Sequence, residues 1–251
     1  MENVFLNEDM FSVLPRIAKK SVHLIFADLP YNETAVKFDK GEIDLEKMWK
    51  EFKRILKPTG QVLFTTTTKF GVKLINSNPE WFRSDLVWEK TKGVGHLTCK
   101  YKTLRKHEMI YLFHYKRIYD GNKWTYNPQM VDGEPYSRKT IKNKSEIYGT
   151  GNYEKAFENL SGKRHPNSIV KIGNTCNAKN SIHPTQKPVE LLEWLIKTYS
   201  NEGDLVLDPC AGSGSTLLAC INTGRKYIGA EINTEYFDKA LKRIMPEAAD
   251  A

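Results

Sequence analysis

Apolar residues fall along this chain in two alternating patterns. Near-continuous runs at 21–27 (SVHLIFA), 61–66 (QVLFTT), 204–208 (DLVLD) and 226–232 (KYIGAEI) predict strands buried on both faces, as in a parallel sheet. Residues 2–6 (ENVFL), 85–90 (DLVWEK) and 107–115 (HEMIYLFHY) predict further strands, the last less cleanly alternating but rich in β formers. Between them the spacing becomes helical. Leu45, Met48, Trp49, Phe52, Ile55 and Leu56 line one face of 43–56, and Pro58-Thr59-Gly60 closes that stretch. A helix is expected to start at MFSVLPRIAKK, and others cover FGVKLINS, TLLACINTG and EYFDKALKRI. PVELLEWLIKTYS has Pro188 at its start and Gly203 past its end. Strands alternating with helices predict an α/β fold, a doubly wound and mostly parallel sheet with helices on both faces.

From about Lys116 to Asn180 the periodicity lapses. This stretch reads as an irregular, loop-rich insert, and its tyrosines (119, 126, 136, 148 and 153) argue for structure over disorder. The 251 residues thus suit one domain, 1–251, carrying an insert at 116–180. Charge sharpens the picture. Residues 90–180 hold 18 basic and 7 acidic side chains, and the remainder 20 and 23, so the whole +8 excess lies in one block. Such a block suits a polyanion partner, with solvated lysine loops as the plain alternative. Four cysteines with no C-x-x-C spacing give neither a disulfide framework nor a zinc knuckle. The broken, acidic N-terminus and the lack of a long apolar run point to a soluble protein of a reducing cytoplasm, with no membrane partner.

Two motifs carry candidate chemistry. Asp208-Pro-Cys-Ala-Gly-Ser-Gly-Ser-Thr216 has the form of a nucleotide-binding turn, a strand end and a Gly-rich loop running into a helix N-terminus. It is not G-x-G-x-x-G and lacks a P-loop lysine. Glu231 ends the next strand, where it can accept hydrogen bonds from ribose hydroxyls. Asp28-Leu29-Pro30-Tyr31 follows a buried strand. The Asp28 side chain and the Leu29 carbonyl can each accept one hydrogen of a planar amine, with Tyr31 stacking on its ring. Taken alone, those four residues equally describe a turn with a capping Asp and a packed Tyr.

Together, and in this order, the motifs resemble the β arrangement of amino-methylating DNA methyltransferases, which carry D/N/S-P-P-Y ahead of an F-x-G-x-G-like S-adenosylmethionine loop. Ser181-Ile-His-Pro-Thr-Gln-Lys-Pro188 is similar to the family's H-P-T-Q-K-P stretch, and Trp88-Glu-Lys90 and His107-Glu108 stand where members have similar residues. The likeness covers roughly 4–115 and 181–244. It leaves 116–180 where such enzymes carry target recognition. The chain departs from the pattern at Leu29 (proline in the family), Cys210 (commonly Phe) and Ser215 (frequently Thr).

The resemblance implies a Rossmann-like S-adenosylmethionine-dependent fold with a seven-stranded sheet, circularly permuted so that the catalytic motif precedes the cofactor motif. It implies methyl transfer to the exocyclic N6 of a flipped adenine in a specific sequence of duplex DNA. Cytosine N4 is the nearest alternative, and a non-catalytic DNA-binding homologue a third. Asp28, Leu29, Pro30 and Tyr31 would be catalytic. Asp208, Pro209, Ala211, Gly212, Ser213, Gly214 and Thr216 would surround the cofactor, with Glu231 on its ribose. Thr185, Gln186 and Lys187 would line its methionine end. Asp9 would sit near its adenine, a helix N-cap being the equal reading. Arg138, Lys139, Lys142 and Lys144 would hold DNA phosphates. His107-Glu108 lacks the H-E-x-x-H spacing of a zinc protease and reads as structural, with no metal required. A homodimer, a cognate restriction endonuclease and a bacterial or phage host accompany the likeness.

Overall fold

The computed structural model describes residues 1–30, 42–115, 124–138, 157–174, 181–183 and 185–245. Ten strands and six helices follow in chain order. They are β1 (Val4–Leu6), α1 (Met10–Val13), β2 (Val22–Ala27), α2 (Leu45–Ile55), β3 (Leu56–Thr66), α3 (Thr68–Ser77), β4 (Phe82–Val94) and β5 (Arg105–Phe113). Then come β6 (Tyr136–Arg138), β7 (Phe157–Asn159), β8 (Ile169–Lys171), α4 (Val189–Tyr199), β9 (Leu205–Asp208), α5 (Ser215–Asn222), β10 (Lys226–Ala230) and α6 (Thr234–Ile244). Among the described residues no helix is long and apolar enough to cross a membrane.

The main sheet has the order β1-β10-β9-β2-β3-β5-β4-β8, with β5 antiparallel to both its neighbours and every other pair parallel. Side-chain alternation along the strands feeds two cores. Ile25, Ala27, Leu205 and Leu207 pack under α1, α2 and α3, while Leu24, Phe26 and Val206 pack under α4 and α5. Strands buried on both faces are therefore apolar throughout, which is why they show in the sequence.

Three expectations are corrected. Among the described residues the main sheet has eight strands, not seven, because Ile169–Lys171 pairs with Val87–Glu89 at its edge; three residues are too few to show a period. The segment at 58–60 does not close an element, since β3 runs through it from Leu56 and tucks Gly60 where a Cβ would meet the His23 carbonyl oxygen at 2.7 Å. The helix at Met10 lasts one turn and passes into a 3-10 turn at Leu14–Arg16, where Pro15 has no N–H to donate.

Two compact units divide the chain: 1–127 with 168–251, and 128–167. The second holds the antiparallel β6–β7 pair, a Val131–Arg164 bridge, an Asp132–Lys163 ion pair and the Arg164 guanidinium 4.5 Å above the Tyr136 ring.

In the first unit the chain leaves β9 towards β10 on one side and β2 towards β3 on the other. The crevice between the carboxyl ends of β9 and β2 is thus a topological switch point, where open α/β sheets bind ligands.

Candidate active site

Asp28 follows the last residue of β2, Asp208 ends β9, and Glu231 follows β10. Parallel strands bring these three carboxylates to one edge, around a cavity of about 420 Å³. Its walls include Asp9, Phe11, Phe26, Ile43, Ile232 and Tyr236.

Both oxygens of Asp28 are engaged. Thr65 Oγ1 donates to Oδ1 at 2.6 Å, and Lys187 Nζ donates to Oδ2 at 2.5 Å. The Lys187 side chain is 7% exposed and also lies 3.6 Å from Glu108 Oε2, while the other Glu108 oxygen pairs with Lys90. Burial disfavours the Lys187 ammonium, yet Asp28 and Glu108 together outweigh it and hold its pKa above the ordinary lysine value. Lys187 lines the cavity, and its charge is directed at the Asp28 carboxylate. Leu29 is buried in the core beneath α1 and α2, so an apolar side chain satisfies this second motif position. Leu29 and Pro30 line the cavity, whereas Tyr31 lies outside the described residues.

The Gly-rich turn is held open from both sides. Asp208 Oδ1 accepts from Cys210 N at 3.0 Å, and burial pushes the Asp208 carboxyl up to about 7. Glu231 accepts from Gly212 N and from Asn233 N, both at 2.8 Å, and burial raises its pKa. Gly212 has φ 50°, and the nearest atom to an added Cβ would be 3.8 Å away in His183. Pro209, Ala211, Ser213 and Thr216 line the same cavity. Gly214 does not. Its φ is 69° and a Cβ there would strike Ile244 Cδ1 at 2.7 Å, so this glycine lets α6 pack against the start of α5.

Thr185 and Gln186 both face the cavity; Gln186 Oε1 accepts from Ile182 N at 3.2 Å. Thr185 N donates to His183 Nδ1 at 3.3 Å, and burial lowers the His183 pKa to about 4, which leaves the imidazole neutral against the Tyr236 ring. Asp9 caps α1 by accepting from Phe11 N at 2.8 Å, the N-cap reading, and it also lines the cavity. Arg138 ends β6, and Lys139, Lys142 and Lys144 lie outside the described residues. Thr65, Lys90 and Glu108 were not legible as site residues. Glu108 belongs to a spacing that suggests no ligand set, and its partners lie on other elements.

The family model for the N6/N4 DNA methylases matches residues 22–242. The HpaI methyltransferase of Haemophilus parainfluenzae is 28% identical over 98% of this chain and 76% of its own length. The DNA adenine methyltransferase YhdJ of Escherichia coli is 28% identical over 95% and 81%. Among solved structures, the M1.HpyAVI complex with S-adenosylmethionine superposes with a TM-score of 0.63 at 22% identity, covering 96% of this chain and 98% of that one. The cytosine-N4-specific PvuII methyltransferase gives 0.66 at 15%, covering 97% and 86%. The chain belongs to the N6/N4 DNA methylase family and is a DNA methyltransferase.

Proposed function

We propose that the chain transfers a methyl group from S-adenosylmethionine to the N6 amino group of an adenine flipped out of duplex DNA. The observation that carries this reading is that Asp28 and the Gly212 turn line one cavity. The donor set suits the cofactor. A left-handed glycine leaves room beside its backbone, apolar and aromatic walls suit an adenine, and three carboxylates suit a cation. Asp208, Gly212 and Glu231 would hold it, with Thr185 and Gln186 at its methionine end. When bound, it supplies an electrophilic methyl on a sulfonium leaving group.

The adenine amino nitrogen is a weak nucleophile because its lone pair is delocalised into the ring. Asp28 accepts one amino hydrogen and the Leu29 carbonyl the other, which favours a pyramidal nitrogen with its lone pair turned to the methyl. Lys187 and Thr65 fix the Asp28 carboxylate in place, and Asp28 receives the proton released after transfer. The target must leave the duplex to reach this depth. The aspartate in the first motif position and the adenine-specific relative favour adenine. The basic 116–180 insert is the proposed target-recognition region.

The test is methyl transfer from labelled S-adenosylmethionine to mixed-sequence duplex DNA, with mass spectrometry of the digested nucleosides. N6-methyladenine is expected, reduced by about 10²–10⁴-fold in Asp28→Ala. N4-methylcytosine in its place overturns the choice of base, and a fully active Asp28→Ala overturns the mechanism.

A further inference from the structure

The hairpin joining β4 to β5 runs past the catalytic edge. β3 ends its pairing with β5 at Thr66↔Met109, whereas β4 and β5 pair on to Glu89↔His107 and, past a bulge in β4, again at Val94↔Arg105. Four residues at about 3.3 Å each carry this arm roughly 13 Å beyond β3. Since β4 runs parallel to β2 and β3, it does so on the side where β2 delivers Asp28. A 3-10 turn at His96–Thr98 closes the tip, entered through Gly95 at φ 98°. Leu97 is 100% exposed and Tyr101 89%. No acidic residue occurs between Lys90 and His107, and Lys92, Lys100 and Lys102 are exposed. At the root of the arm, Lys90 and Glu108 join the charge chain that ends on Asp28.

Single exposed apolar residues are ordinary. A bulky aliphatic and an aromatic side chain at the tip of a wholly basic arm, rising from the edge that a base must cross, are not. We propose that this arm docks on duplex DNA, Lys92, Lys100 and Lys102 meeting phosphates while Leu97 and Tyr101 enter the gap that the extruded base leaves in the stack. The proposal rests on the methyltransferase reading above. Charge complementarity selects a polyanion, and extrusion of one base creates an apolar vacancy whose filling offsets the cost of unstacking. An anionic membrane would match the charges but would not explain an arm rooted at the catalytic carboxylate.

Three full-length proteins test it: wild type, Lys92→Glu/Lys100→Glu/Lys102→Glu, and Leu97→Ser/Tyr101→Ser, each first shown to keep the wild-type circular dichroism and S-adenosylmethionine affinity. Binding to mixed-sequence duplex is followed across a salt series, with methylation rates on the same DNA and on its separated strands. The charge variant is expected to reduce the slope of log affinity against log salt by about 2–3. The apolar variant is expected to bind duplex within about twofold of wild type yet methylate it about tenfold more slowly, with its rate on single strands unchanged. Wild-type slopes and rates in both variants overturn the proposal. So does a loss confined to binding of phosphatidylserine vesicles, or a change of oligomeric mass with DNA behaviour intact. Failure of wild type itself to bind or methylate DNA overturns the methyltransferase reading beneath it.

Discussion

Lys187 Nζ lies 2.5 Å from one carboxylate and 3.6 Å from another in a place almost closed to water. Removing one partner from such a cluster leaves uncompensated buried charge, so Lys187→Met should lose about 3–5 kcal/mol of stability by urea titration. Asp28 would also lose one of the two donors that fix its carboxylate, so methylation should slow by more than any change in cofactor affinity explains. A wild-type rate in folded Lys187→Met would sink that role. Asp208 and His183 make a second, opposed pair. With Asp208 raised to about 7, the folded state holds a proton that the unfolded chain releases near 3.8, so this group makes stability fall as pH rises between those values. With His183 lowered to about 4, the unfolded chain takes up a proton first, below 6.5, so this group makes stability rise with pH from 4 to 6.5. The two slopes offset each other. Asp208→Asn should leave melting temperature rising more steeply across pH 4–6.5, and His183→Asn should leave it rising less or falling. The strand-end acids were legible because the strands themselves were, whereas their partners came from other elements that no spacing connects.

At the scale of elements, Gly212 and Gly214 sit in one turn and meet different neighbours. Gly214→Ala would strain a left-handed backbone and also drive a Cβ into Ile244 and Ala240, so it should cost about 2–5 kcal/mol, chiefly as stability. Gly212→Ala has room, so it should cost about 1–2 kcal/mol of backbone strain and chiefly weaken S-adenosylmethionine binding. Calorimetric melts beside cofactor titrations separate the two; equal effects on both measures would contradict the assignment. The sequence pattern located the long helices and every strand that is apolar on both faces. It missed β8, whose three residues have only Val170 buried, and it misplaced the start of β3 because Pro58 and Gly60 read as a turn. There the pairing with β2 jumps from Val22↔Leu56 to Leu24↔Gln61, so residues 57–60 bulge from the ladder, which is where a strand tolerates proline and glycine.

For the whole molecule, the basic excess lies outside the proposed cofactor cavity, whose walls are rich in carboxylates. Affinity for duplex DNA should therefore fall by about 10³–10⁵ between 50 and 200 mM salt, if six to ten phosphates are neutralised. Cofactor affinity should change far less over that range. Fluorescence anisotropy for DNA and calorimetry for the cofactor would show the contrast, and a salt-independent DNA affinity would refute it. Composition disclosed the basic block, but not that part of it forms an arm at the catalytic edge, because that follows from strand pairing across the sheet.

The central position of β9 also has a consequence for synthesis of the protein. β9 lies between β10 and β2, yet ribosomes make it long after β2 and β3. Until it emerges, the nascent sheet exposes the edge of β2, an apolar strand with open backbone donors and acceptors. Such an edge invites pairing with other chains, so productive folding awaits the synthesis of β9 and benefits from a chaperone that shields it. Slow translation through residues 116–200 should then increase aggregation during expression, and a chain stalled there should lack the proposed cofactor site, since Asp208, Gly212 and Glu231 are all still to come.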